Sequence, residues 1–142
     1  MKAYFARLLG LAVLLALALP VGAHAQSGLI TKAVNLPPLI LSSGKPLAEK
    51  PYELEAGKYY RLPIQADGTA ELGIVGPEFF RNVWINEVVI NDIEVRPLGL
   101  DSLEFDDEGE AVISFIPIRP GQFTIRIART TAESQSATFT VK

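Results

Sequence analysis

The sequence predicts an all-β chain folded as a Greek-key β-sandwich, and three observations carry that reading. From residue 51 onward, apolar and polar residues alternate with a period of two, as strands with one buried face require. The turn-forming groups Ala56-Gly57, Asp106-Asp107-Glu108-Gly109 and Pro120-Gly121 divide these runs at the spacing of a sandwich. The length, 142 residues, suits one domain.

Residues 1–25 read as a cleaved export signal rather than as part of the fold. Lys2 and Arg7 supply a basic start, Leu8 to Leu19 is an uncharged apolar run, and Ala23-His24-Ala25 is a small-x-small cleavage site. The run is short for a bilayer span, which argues against a retained anchor. Residues 26–50 read as an extended lead-in, because Pro37-Pro38 and Ser42-Ser43-Gly44-Lys45-Pro46 interrupt any helix. Residues 51–142 are then the sandwich domain.

Within that domain, Tyr52 and Leu54 form one alternating run, and Tyr60, Leu62 and Ile64 share one face of the next. Ile93 with Val95 and Leu103 with Phe105 continue the pattern. Ala111 to Ile118 is apolar on both faces apart from Ser114, as a central buried strand would be. Phe123, Ile125 and Ile127, then Ala137, Phe139 and Val141, face inward from the last two strands. The expected core includes Leu54, Leu62, Phe105, Ile113, Phe115, Phe123, Ile125 and Phe139. The segment from Pro77 to Asp92 carries two readings. Phe80, Trp84 and Val88 recur at helical spacing, so one short helical segment near 78–86 can precede a strand beginning near Val88, or the whole segment can be strand.

Composition excludes much chemistry. The chain has no cysteine, and its one His and one Met are His24 and Met1. Beyond residue 25 there is thus no thiol, imidazole or thioether, which removes disulfides, Cys and His catalytic triads and His- or Cys-based zinc sites. The formal net charge of -3 becomes -5 once Lys2 and Arg7 are removed, so a basic nucleic-acid-binding face is not expected. Of the acidic residues Asp101, Glu104, Asp106, Asp107, Glu108 and Glu110, four crowd a predicted hairpin tip. They read first as a solvated turn, with a weak Ca²⁺ site or a paired-carboxylate hydrolase as the alternatives.

The run Phe115-Ile-Pro-Ile-Arg-Pro-Gly-Gln-Phe-Thr-Ile-Arg-Ile127 resembles the Pro-Gly hairpin and strand that lead to the copper-binding cysteine of cupredoxins. Tyr52-Glu-Leu-Glu-Ala-Gly-Lys-Tyr-Tyr60 resembles an earlier hairpin of that family, and Arg81-Asn-Val-Trp-Ile85 resembles the segment carrying its first copper ligand. The resemblance covers roughly residues 50–142 and implies a cupredoxin-like sandwich. Carried over position by position, it sets Arg81 at the first His, Ile127 at the Cys, Thr130 near the second His and Gln135 near the axial Met. It therefore implies that Arg81 and Ile127 lie side by side at one end of the sandwich. A guanidinium repels a cation and an isoleucine has no lone pair, so these positions cannot form type 1 copper.

The expectation is an exported, non-catalytic binding or accessory domain, periplasmic or secreted, with no cofactor and no metal. Its partner is expected to be a periplasmic protein, with no nucleic acid and no membrane after signal cleavage. The contact surface is expected at Phe79, Phe80, Arg81, Asn82 and Trp84, aromatics with Arg being typical of interaction hot spots, or at the sandwich end from Arg129 to Gln135. Core packing is the other reading of the aromatic cluster. The alternative function is a cupredoxin-family role in copper handling or electron-transfer assembly through a partner, with copper as the cofactor. Mass spectrometry of the exported protein should show an N-terminus at Gln26; retention of Met1 or Lys2 would refute the signal reading.

Overall fold

The computed structural model describes residues 32–142, so the export signal lies outside the described residues. Among the described residues, eleven strands form two sheets. The first sheet holds β1 (Val34–Asn35), β2 (Leu39–Leu41), β4 (Tyr60–Ala66), β6 (Val83–Ile90), β7 (Ile93–Val95) and β9 (Gly109–Pro117). The second holds β3 (Tyr52–Leu54), β5 (Leu72–Val75), β8 (Ser102–Phe105), β10 (Gly121–Ile127) and β11 (Ser136–Val141). A single helical turn, α1 (Pro77–Phe80), and a 3₁₀ turn, Glu133–Gln135, complete the described elements.

The first sheet runs β1-β4-β9-β6-β7, with β2 also on β4, and the second runs β3-β11-β10-β5-β8. The chain changes sheet at each connection from β2 through to β6, and again between β7 and β8, β8 and β9, and β9 and β10. Sequence neighbours are therefore seldom sheet neighbours, which is the connectivity expected of the sandwich. The turns at 55–59, 106–108 and 118–120 are thus crossings between sheets, not the hairpins that their Gly and Pro residues predicted. Local turn chemistry is the same for both.

Alternation decides what is buried. Tyr60, Leu62, Ile64 and Ala66 of β4 point inward opposite Phe115, Ile113, Ala111 and Gly109 of β9. Phe123, Ile125 and Ile127 point inward from β10, opposite Phe139 and Ala137 in the first two cases. Seven of the eight expected core residues are buried, and Phe105 is half-buried against the cluster. Ser114 is buried on the outer side of β9, with its hydroxyl donating to Glu87 Oε1 at 3.4 Å.

Residues 32–50 of the lead-in belong to the sandwich, which corrects the boundary at residue 51. β1 and β2 lie parallel to β4, and Leu39, Leu41 and Leu47 are in the core. The two strands have two and three residues, too short for alternation to stand out between Pro37-Pro38 and the Ser-Gly-Pro stretch. Tyr52 fastens this region. Its ring stacks on Phe139 at 4.5 Å, and its hydroxyl lies 3.1 Å from Pro37 O and 3.3 Å from Pro38 O. Burial, with the Glu49 carboxylate nearby, pushes the Tyr52 hydroxyl up to about 12.

The segment from Pro77 resolves into helix and then strand, with boundaries unlike those expected. α1 ends at Phe80 and β6 begins at Val83. Pro77 suits the first turn of a helix. Asn82 ends it: its N–H bonds to Phe79 O at 2.9 Å and its carboxamide donates to Glu78 O at 2.7 Å. Trp84 and Val88 are spaced like a helical pair but face opposite sides of β6. A β-bulge between Ile85 and Glu87 puts one extra residue, Asn86, into β6. The extra residue reverses the alternation, so Val83, Ile85 and Val88 all face inward while Trp84 faces out. β5 shows no period in the sequence because it is four residues long and contains Gly73. A Cβ at Gly73 would meet Leu103 O at 2.9 Å, so β8 can approach β5 closely only over a glycine.

Phe79 joins the sheets. It is fully buried, 5.3 Å from Phe115 of the first sheet and 4.5 Å from Phe139 of the second. Phe79→Ala and Phe115→Ala should each cost about 3–5 kcal/mol in chemical denaturation, and half-buried Phe105→Ala distinctly less. Equal, small losses at all three would show that the aromatic core is misassigned.

Candidate functional site

Two places carry the expected site residues. One is the end of the sandwich where β10 finishes and β5 begins. The other is the α1–β6 segment at the opposite end.

Ile127 is the last residue of β10 and is buried. Its partner across the sheet is Ile74 of β5, and the next backbone bond runs from Ala128 N to Gly73 O at 2.8 Å. Arg81 is not beside it. Asn82 O accepts Ile118 N at 3.0 Å and Val83 opposes Pro117, so Arg81 stands where the 118–120 crossing enters β10. β10 spans seven residues, about 20 Å of extended chain, and Ile127 lies at its far end. The physical reason is the strand order: β5 lies beside β10 at Ile127, while β6, the strand that follows Arg81, joins β9 in the other sheet.

Thr130 and Gln135 lie in the connection that follows Ile127. Thr130 Oγ1 accepts Ala132 N at 3.3 Å. Gln135 Nε2 donates to Lys45 O at 2.7 Å, and Leu47 N bonds to Ser134 O at 2.8 Å. Both side chains therefore fasten loops. The set of Arg81, Ile127, Thr130 and Gln135 does not converge on one point and does not suit copper. Ile74, the residue that actually faces Ile127, offers no lone pair either. Among the described residues, no group of three or more His, Cys, Asp or Glu side chains is placed to hold a metal ion.

Of the five residues expected at a contact surface, three are interior. Phe79 and Phe80 are buried in edge-to-face contact at 5.5 Å, and Asn82 is buried at the end of α1. Arg81 is exposed and pairs only with exposed Glu78, at 3.4 Å, a contact of little energetic weight. Trp84 is 43% exposed on the outer face of β6, beside Ile116 of β9. Phe79, Phe80 and Asn82 are thus interior, and Arg81 and Trp84 are exposed. Helix geometry separates them: a helical turn followed by a strand aims its residues in alternate directions.

The acidic residues from Asp101 to Glu110 do not gather around a centre. Asp107 Oδ1 accepts Glu108 N at 2.8 Å and Glu110 accepts Gln65 Nε2 at 2.8 Å. The crossing where they lie is solvated. A polar group around Asp67 leaves no spacing signal in the sequence, since Ser42, Lys45 and Asp67 come together only through the β2–β4 pairing. The Ser42 hydroxyl, followed by the Thr69 hydroxyl, the Thr69 backbone N–H and the Lys45 ammonium, holds the Asp67 carboxyl well below the usual carboxylate range. Thr69 Oγ1 donates to it at 2.6 Å, whereas Ser42 Oγ is buried beside it without an aligned hydrogen bond, so Thr69 is the firmer partner.

A depressed carboxyl pKa stabilises the fold above the unfolded value, near ~4, and that stabilisation is lost as the pH falls through the folded value. The stability difference between wild type and Asp67→Asn should therefore be constant from about pH 5 to 7 and shrink below about pH 4. A difference independent of pH in denaturant titrations would contradict this account of Asp67.

No family model matches the chain, and no curated protein matches it. Solved structures do. A multi-copper oxidase from Pseudomonas thermotolerans is 16% identical, with a TM-score of 0.56 over 87% of this chain and 33% of its own. One from Pediococcus acidilactici is 11% identical, with a TM-score of 0.56 over 88% of this chain and 28% of its own. A multicopper oxidase from Campylobacter jejuni, a metallo-oxidase, is 9% identical, with a TM-score of 0.55 over 79% and 31%. This chain spans about a third of the length of these proteins. At such identities the likeness is one of fold: the chain has a cupredoxin-like β-sandwich, the fold found within multicopper oxidases, and positions of that fold that the sequence resemblance equates with copper ligands hold other residues here.

Proposed function

We propose that this chain is an exported, non-catalytic binding or accessory domain, which works in the periplasm or outside the cell by contacting a protein partner. The observation that carries this reading is the Ile127–Ile74 pair at the junction of β10 and β5. The sandwich end that the sequence resemblance associates with metal is closed by hydrocarbon, and the nearby Thr130 and Gln135 spend their polar atoms on loop backbone. Electron transfer by type 1 copper requires imidazole and thiolate ligands. Neither exists after residue 25. The contact surface in this reading is the outer face around exposed Trp84 and Arg81. An exposed indole and an exposed guanidinium three residues apart supply residue types that dominate interface energetics.

A second reading, a role in copper handling through a partner, is favoured by the fold shared with copper oxidases. In that reading the domain docks onto a copper protein and contributes no ligand of its own.

Adding Cu(II) to the purified protein should give no intense visible absorption and no sub-micromolar binding; a strong charge-transfer band would overturn the proposal. A photo-reactive residue at position 84 should yield a discrete adduct with another protein in the exporting cell. The same residue at exposed position 124, on the other sheet, should not. Absence of an adduct from position 84 would refute this face as the contact surface.

A further inference from the structure

The hairpin of β6 and β7 leaves an apolar edge uncovered. Its turn is Asn91-Asp92, with φ of 47° and 66°. Two successive positive φ values define the tight hairpin turn whose twist matches its strands. Ile90 opposes Ile93, and Val88 opposes Val95. Opposed residues share a face, so Ile90, Ile93 and Val95 lie on the side of buried Val88, the core side of the sheet. Yet Ile93 is 65% and Val95 46% exposed, and Ile90 is exposed too. The second sheet ends at β8 and does not reach over them.

β7 is also an unpaired edge, since it bonds only to β6. In a two-residue hairpin, the pair flanking the turn exchanges both of its backbone hydrogen bonds. Ile93 and Val95 therefore direct their N–H and C=O groups toward β6. Glu94 and Arg96 direct theirs outward, to the free edge.

We propose that β7 pairs antiparallel with β7 of a second copy of this chain, on a two-fold axis through Val95. Three registers let the outward groups of Glu94 and Arg96 meet across such an axis. Centring on Glu94 opposes Glu94 to itself, and centring on Arg96 opposes Arg96 to itself. Like charges directly opposite destabilise a strand pair. Centring on Val95 opposes Glu94 to the partner's Arg96, twice over, and joins their backbone groups in four hydrogen bonds.

The same register brings Val95 of the two copies together on the core side, with Ile93 on either flank. It thereby covers apolar surface that this chain leaves in water and fuses the two first sheets into one. Arg96 already lies 3.0 Å from Glu94 and 3.3 Å from Glu87 of its own chain. Those contacts hold the guanidinium on the outer face, where the partner's Glu94 arrives. The edge of β8 lacks this self-complementarity, because its only charged residue, Glu104, and the flanking Asp101 and Asp106 are all acidic. An isologous contact of this kind closes at two copies, as two-fold symmetry requires.

The test is sedimentation or light scattering of the purified protein across concentrations, with three variants. Wild type should show twice the monomer mass at high concentration and dissociate on dilution. Glu94→Arg, which sets two guanidinium groups against each other at each end of the strand pair, should weaken dimerisation at least tenfold while circular dichroism stays that of wild type. Arg96→Glu, which opposes two carboxylates instead, should do the same. The double variant Glu94→Arg/Arg96→Glu should restore the dimer, since the reversed pair is again complementary. A wild type that is monomeric at about 100 µM, a Glu94→Arg variant that dimerises as wild type does, or a double variant that stays monomeric would each overturn the proposal.

Discussion

A sandwich holds together only if something fills the space between its sheets, and here Phe79 occupies the point where both inner faces and the connecting turn meet. Its ring contacts Phe115, which stacks at 5.9 Å on Tyr60 of the first sheet. On the other side it contacts Phe139, which stacks on Tyr52 of the second. Tyr52 in turn holds the proline carbonyls of the lead-in. A chain of aromatic contacts thus runs from the N-terminal strands through both sheets to the last strand. Aromatic pairs at these separations contribute beyond the area they bury, which matters to a domain with no disulfide.

The position of Phe79 also explains the layout of the rest. To place that ring between the sheets, the chain leaves β5, makes one helical turn after Pro77 and crosses to β9 as β6. Arg81 and Trp84 are carried outward by the same movement. β5, not β6, lies beside β10, so the residue facing Ile127 is Ile74. Buried isoleucine side chains consequently meet at the end where the sequence resemblance placed a metal.

Strand alternation makes most of the architecture legible in the amino-acid sequence. β3, β4, β7, β8, β10 and β11 follow from period-two runs and β9 from a run apolar on both faces, and the inward residues of β4, β10 and β11 are the ones that alternation selects. What alternation does not reveal has specific causes. β1 and β2 are too short to show a period, and Gly73 interrupts β5 where β8 presses close. The bulge at Asn86 sets buried Ile85 and Val88 three residues apart and so breaks the period of two. The candidate site is legible in its chemistry, because the residue types that remain after position 25 decide which ligands exist. Its geometry is not, because which strand neighbours which depends on crossings between sheets, and a Pro-Gly turn looks the same at a crossing as at a hairpin.

The central claim is that Phe79 couples the two sheets, and a pair of double-mutant cycles addresses it most directly. Phe79→Leu is combined with Phe115→Leu in one cycle and with Phe139→Leu in the other, each followed by denaturant unfolding. Leucine keeps the sites filled, so the cycle isolates the ring–ring contact. A coupling of about 0.5–1.5 kcal/mol in both cycles is the expected result. Additive losses in either cycle would show that Phe79 serves one sheet alone and would contradict the account.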